Sequence, residues 1–257
     1  MMSRPATVVG KGSTMDDERG HARWVRVSHG IVAASLLVLA ATGFVILMAH
    51  PRLYWGETGN DLTPVLLELP ISRNHHHGGW TAAIPVADGA AAVSAVRTYE
   101  IFNQNGWGRS LHFLAAWCLV LPGLFYLVEG LFGGHFRARL WPSSGELQSG
   151  ALRQAIANHL RVRVAASADG RYNVLQKLAY TAVVCAAIPL MVLTGLAMSP
   201  AVGAALPWLP RLFGGYQSAR TIHFLAFAGL VVFVVVHLVM VVVSGFRRQV
   251  KAITWGA

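Results

Sequence analysis

"RTIHFLAFAGLVVFVVVHLVMVVVSGFRR", residues 220–248, is a long apolar run holding two histidines, His223 and His237. A stretch of this length and polarity reads as a membrane-spanning helix. Polar side chains are costly in hydrocarbon and mark function when they occur there. The two histidines are 14 residues apart. At about 100° per residue they differ by roughly 1400°, about 40° short of four turns, with a rise of roughly 21 Å. One helix face therefore presents an imidazole in each half of a bilayer.

The whole chain fits a membrane setting. It has 257 residues, 54% hydrophobic and 12% charged, which points to a polytopic membrane protein rather than a soluble domain. Four runs are long enough to cross the hydrocarbon: 28–49, 111–132, 174–198 and 221–245. The expected fold is all-α, an integral membrane four-helix bundle. Residues 1–27 form an N-terminal segment, 28–248 the four-helix domain with an outer loop at 50–110, and 249–257 a tail. Residues 1–27 are polar and lack the pattern of a cleaved signal peptide. Cys118 and Cys185 lie in apolar runs without CxxC or CxxCH spacing, so they read as packing residues rather than ligands.

The formal charge of +10 is distributed by topology. Lys and Arg number five before span 1, four in the next loop, seven between spans 2 and 3 or just inside span 3, two in the following turn and three after span 4. Positive residues concentrate on the cytoplasmic side. Both termini and the 133–173 segment are thus expected inside, and nucleic acid is not an expected partner. The 50–110 loop lies outside and is long enough to have a task of its own. A short amphipathic helix is expected at 147–160 along the inner surface. A short helix could begin near Asp88, and 201–215 reads as an outer turn with Trp208 at the interface. Pro122 and Pro189 could kink spans 2 and 3.

Alternation of four spans sets the levels of the histidines. His29, at the inner start of span 1, meets the inner part of span 4, where His237 sits. His112, at the outer start of span 2, is level with His223. Each pair comes from two helices. Two imidazoles on opposite sides of a planar iron porphyrin are the ligand set of a low-spin haem b, so two haem b groups are expected. A single intramembrane histidine is often a helix–helix hydrogen bond; four in two level-matched pairs favour haem. Zinc or copper would need three or four ligands at one depth, and each layer offers two. Small residues beside the ligands (Gly30, Ala33, Ala34, Ala115, Ala116, Ala226, Ala228 and Gly229) would let a macrocycle approach the backbone.

An Arg-x-x-His pattern opens three spans, with Arg26, Arg109 and Arg220 one turn before His29, His112 and His223. A guanidinium there suits a haem propionate. Arg26 reads equally as a positive-inside anchor. At the inner start of span 3, Tyr172, Asn173, Gln176 and Lys177 could hydrogen-bond quinone carbonyls, or could simply anchor and cap the helix. His75, His76 and His77 could bind a metal, although loop solvation accounts for them. His21, His50, His135 and His159 lie outside the redox core.

The segments "RVSHG" (26–30), "GRSLHF" (108–113), "YNVLQK" (172–177) and "RTIHF…H" (220–237) resemble the bacterial di-haem cytochrome b superfamily. That group includes the hydrogenase cytochrome b subunit and the formate dehydrogenase gamma subunit. "HPRLYWGETGN…FNQNGWGRSLHF" looks most like its thiosulfate reductase cytochrome b-like group. The resemblance runs from Arg23 to Arg248. It implies haem b held by His29/His237 and His112/His223, in the bacterial inner membrane. It implies quinone exchange on one side and a redox subunit on the other: a molybdenum, iron–sulfur or c-type cytochrome partner. The long outer loop is the expected docking place. The alternatives are a stand-alone cytochrome b561-like quinol oxidase and a haem-free transporter or anchor.

Overall fold

The computed structural model describes residues 23–60, 63–71, 105–134, 136–160 and 174–256. Four helices are long and apolar enough to cross a membrane. They are α1 (Arg23–Ala49), α2 (Asn105–Phe132), α4 (Val174–Ala197) and α7 (Tyr216–Val243). Shorter helices complete the described chain: α3 (Ser149–Leu160), α5 (Pro200–Ala205), α6 (Trp208–Leu212) and α8 (Phe246–Thr254). Large apolar side chains such as Leu37, Trp117, Leu121, Val232 and Val242 are exposed, as lipid-facing surfaces require. The helix expected at 147–160 is α3, and the outer turn at 201–215 holds α5 and α6. The region around Asp88 lies outside the described residues.

Three of the spans begin five or six residues earlier than their apolar runs. Hydropathy marks where hydrocarbon begins, whereas the backbone ladder continues into the interface because helical N–H and C=O groups remain paired there. Each Arg-x-x-His therefore lies inside a helix. Pro122 is carried within α2. Pro189 is met differently: α4 passes through a π-helical segment, Val183–Ala187, in which the Ile188 N–H donates to the Val183 carbonyl, five residues back. Proline has no N–H and crowds the carbonyl four residues before it, so a widened turn ahead of it relieves both problems.

α1 packs against α2 and α4 against α7. Ser28, Ser35, Thr42 and Ala49 are buried along α1 at intervals of seven. Buried Gly108 and Ala115 are likewise seven apart on α2. Small residues on one stripe let antiparallel helices approach closely; a Cβ on Gly108 would lie 3.3 Å from Val45 Cγ1. At the end of the bundle that the charge distribution assigns to the outside, called outer below and the opposite end inner, Ala197, Leu209 and Ala219 form a buried cluster.

The outer stretch 50–60 is bound to the first turn of α7. A two-residue ladder pairs Arg52 with Glu68 and Leu53 with Leu67. Beyond it the chain caps the helix. Glu57 Oε2 accepts from the Tyr216 N–H at 3.1 Å, and the Gly56 carbonyl accepts from the N–H groups of Gln217 (2.9 Å) and Ser218 (3.2 Å). These are donors that a helix start leaves unpaired, and the carboxylate also suits the positive end of the helix dipole. The Gly56 N–H donates to Ser218 Oγ at 2.7 Å, and Thr221 Oγ1 donates to the Tyr54 carbonyl at 2.7 Å. Gly215, at φ 116°, permits this approach: a Cβ there would lie 2.5 Å from the Gly56 carbonyl carbon.

On the inner side, Glu146 joins the segment before α3 to α4. Lys177 Nζ donates to both carboxylate oxygens, at 2.9 and 3.0 Å, and the Ser143 N–H donates to Oε2 at 2.8 Å. The Lys177 hydrogen bond, and after it that of Ser143, hold the Glu146 carboxyl below its usual range. A carboxyl depressed in the folded state stabilises it above the unfolded value and loses that contribution as pH falls through the folded one.

Two outcomes follow from these contacts. Gly215→Ala should cost about 1–3 kcal/mol in backbone strain alone and loosen the 50–60 segment, seen as a lower melting temperature in detergent and faster proteolysis in that segment. Glu146→Gln should slightly destabilise the protein at neutral pH. The difference from wild type should vanish as pH falls below about 4.5, the ordinary value for this carboxyl, in thermal melts recorded across pH.

Candidate haem centres

The structure brings the four intramembrane histidines together in two pairs. The rings of His29 (α1) and His237 (α7) have centroids 6.5 Å apart at an interplanar angle of 49°. Those of His112 (α2) and His223 (α7) are 6.5 Å apart at 59°. With each ring nitrogen about 1.2 Å from its centroid, this spacing leaves about 4 Å between nitrogens turned toward one another. That is beyond the ~3 Å of a hydrogen bond and matches two metal–imidazole bonds of about 2 Å. The same spacing at both depths is what two opposed ligands on one metal require. α7 supplies one histidine to each pair, and α1 and α2 supply the opposing ones.

The outer pair has further structure. Thr42 Oγ1 lies 2.9 Å from His112 Nδ1, and Thr194 Oγ1 lies 2.9 Å from His223 Nδ1. Each hydroxyl also lies 2.7 Å from the carbonyl four residues back, Val38 for Thr42 and Leu190 for Thr194. A hydroxyl has one proton. Where it goes to the helix carbonyl, the oxygen accepts and Nδ1 carries the ring proton. The other nitrogen, Nε2, then holds the lone pair that a metal needs. Thr42 is 2% exposed and Thr194 0%, so water does not compete for these bonds.

On the inner level His237 is flanked by aromatic rings instead. Phe233, one turn before His237 on α7, stacks on it at 5.8 Å and 17°. Tyr180 of α4 meets His237 edge-on at 6.1 Å and 73°. Among the described residues no hydrogen bond is found for the ring nitrogens of His29 or His237.

A flat group also needs room at the backbone. A Cβ built on Gly30, next to His29, meets no atom within 4 Å, so the backbone is open beside that ring. The donor set and its spacing thus fit haem b. When bound, haem supplies one-electron exchange at its iron. The chain's part is to hold the imidazoles opposed, keep the outer pair in one tautomer and exclude water.

The three arginines have different surroundings. Arg220 donates to the His50 carbonyl and to Gln217 Oε1 at 3.2 Å, which ties it to the outer segment and leaves three of its five donors for a carboxylate. Arg26 is partly buried beside Gly256, and its Nε is buried without a hydrogen-bond partner. Arg109 is exposed on α2. Of the residues named for a quinone, Tyr172 and Asn173 lie outside the described residues, Gln176 is on α4, and Lys177 is paired with Glu146. His75, His76 and His77 also lie outside them. No cluster of three or more metal-ligating side chains occurs among the described residues.

Thr42, Thr194, Tyr180 and Phe233 are contributors that sequence reading misses. One signal was available: Thr-Gly occurs at 42–43 and at 194–195, in the helix preceding each outer-layer Arg-x-x-His. The glycine that follows each threonine lies near the same imidazole: a Cβ on Gly43 would be 3.4 Å from His112 Cε1, and one on Gly195 3.5 Å from His223 Cε1.

Comparison with known proteins agrees with this geometry. Residues 20–256 match the family described as prokaryotic cytochrome b561. A protein of Azospira oryzae named "Putative protein-methionine-sulfoxide reductase subunit YedZ1" is 29% identical over 221 residues, covering 86% of this chain and 89% of its own. No solved structure matches the chain. With its four spanning helices, the protein is a multi-pass protein of the bacterial inner membrane. It belongs to the prokaryotic cytochrome b561 family, as a haem b-binding membrane electron-transfer protein.

Proposed function

We propose that this chain is a di-haem b subunit that passes electrons between the quinone pool near its inner face and a redox partner outside. The observation that carries the reading is the repeated 6.5 Å spacing of His29/His237 and His112/His223. In this reading each pair holds one haem b. The two levels, 14 residues apart on α7, lie roughly 21 Å from one another along the helix. The chain thereby spans most of the hydrocarbon with two electron-holding stations. The finer kinship is with the hydrogenase and formate dehydrogenase cytochrome b subunits and the thiosulfate reductase cytochrome b-like group.

The distribution of Lys and Arg supports cytoplasmic termini, with His29/His237 on the inner level. Quinone carbonyls would meet Gln176 and Lys177 at the inner start of α4, with Tyr172 and Asn173 just before it. Lys177 would then exchange Glu146 for the ligand. Arg26, Arg109 and the spare donors of Arg220 would hold propionates. The outer partner, a molybdenum, iron–sulfur or c-type cytochrome protein, would dock on the loop within 50–110. The relative from Azospira oryzae is named as a reductase subunit, which supports a dedicated partner over a stand-alone quinol oxidase. Family membership sets aside the haem-free transporter.

A dithionite-reduced minus oxidised spectrum with pyridine haemochrome quantitation of purified protein should give two b haems per chain; none, after expression with ample haem, would overturn the reading. His29→Ala and His237→Ala should each remove the same haem, and His112→Ala and His223→Ala the other. Losses that pair differently would refute the assignment of ligands.

A further inference from the structure

The two histidine pairs share a spacing but differ in what holds their rings. On the outer level, each imidazole has a buried threonine at Nδ1, and each threonine comes from the helix packed beside the histidine's own. Thr42 of α1 reaches His112 of α2, and Thr194 of α4 reaches His223 of α7, both at 2.9 Å. Both hydroxyls give their proton to a helix carbonyl at 2.7 Å. On the inner level the contacts to His237 are aromatic. The Thr-Gly pair and the histidine it supports occur once in each helix pair, so the arrangement is built twice and only at one depth.

We propose that Thr42 and Thr194 are positioning residues that fix the tautomer and plane of both outer imidazoles and set the outer centre's reduction potential below the value it would have without them. The inference rests on haem binding at His112/His223. A proton on Nδ1 shared with an acceptor makes the ring a stronger electron donor through Nε2. Stronger donation favours the ferric over the ferrous state and lowers the potential. The chain N–H to O–H to O=C is polarised along its length, which strengthens each bond. The inner imidazoles have no such acceptor among the described residues, so the two centres are tuned by different means. The threonine also limits ring rotation, because turning the imidazole would break a bond in a dry interface.

The test uses full-length protein purified with its haems. Thr42→Val and Thr194→Val keep the side-chain shape and remove the hydroxyl; Thr42→Ser and Thr194→Ser keep the hydroxyl. Haem content, a potentiometric titration and the ferric low-spin electron paramagnetic resonance signal are recorded for each. His29→Ala, which should retain only the outer haem, identifies the outer wave. Each valine variant should raise the outer midpoint, by roughly a tenfold change in the ferric-to-ferrous ratio at fixed ambient potential, about 59 mV for one electron. The outer g-value pattern should change with ring orientation, and the inner wave should stay in place. The serine variants should restore both readouts. Loss of the outer haem in the valine variants but not in the serine variants would equally support the assignment. Two bound haems with wild-type potentials and spectra in the valine variants would overturn it. So would outer-haem loss in valine and serine variants alike, because the hydroxyl kept by serine would then not preserve the site. A wild-type protein that binds no haem would overturn the di-haem reading itself, and this inference with it.

Discussion

A polar imidazole in hydrocarbon is costly, and the packing around the four histidines answers that cost in two different ways. On the outer level a buried threonine hydroxyl sits at each Nδ1, and a ring proton held there leaves Nε2 for whatever lies opposite. On the inner level packed rings, not hydroxyls, surround His237. Because α7 contributes to both pairs, it must stay straight and apolar between them and have one face turned toward α1 and α2. The flanking helices are fitted around that requirement, with small residues on the α1–α2 seam and a threonine beside each ring of the His112/His223 pair.

The helix count, the approximate spans and the two histidine pairs are legible in the sequence. Apolar runs report the thickness of hydrocarbon, and a 14-residue separation reports a shared face. Alternation of direction then assigns levels without knowledge of packing. The helix starts are less legible, because polarity ends a hydropathy window but does not end a hydrogen-bonded helix. Arg26, Arg109 and Arg220 therefore lie within helices whose first turns extend beyond the apolar segment.

What stays hidden depends on which helices are neighbours. Thr42 reads as an ordinary small residue in an apolar run until α1 is placed against α2. The same holds for Thr194 and α7. Lys177 is recognisable as an interfacial cation, but its tie to Glu146, 31 residues upstream, has no periodic signature. The stretch 50–60 shows turn residues and aromatics and nothing that indicates its target. Its role comes from backbone groups, Gly56 above all, whose identity the side-chain sequence does not encode.

That capping contact has a mechanical meaning. The outer segment completes the start of α7 through Glu57 and Gly56 and grips it again at Ser218 and Thr221. The same helix bears His223 two residues further on and His237 near its inner end. A load on the 50–60 surface is thus passed to the helix that carries His223 and His237. Contact at that surface and the placement of both histidines are therefore joined through one helix.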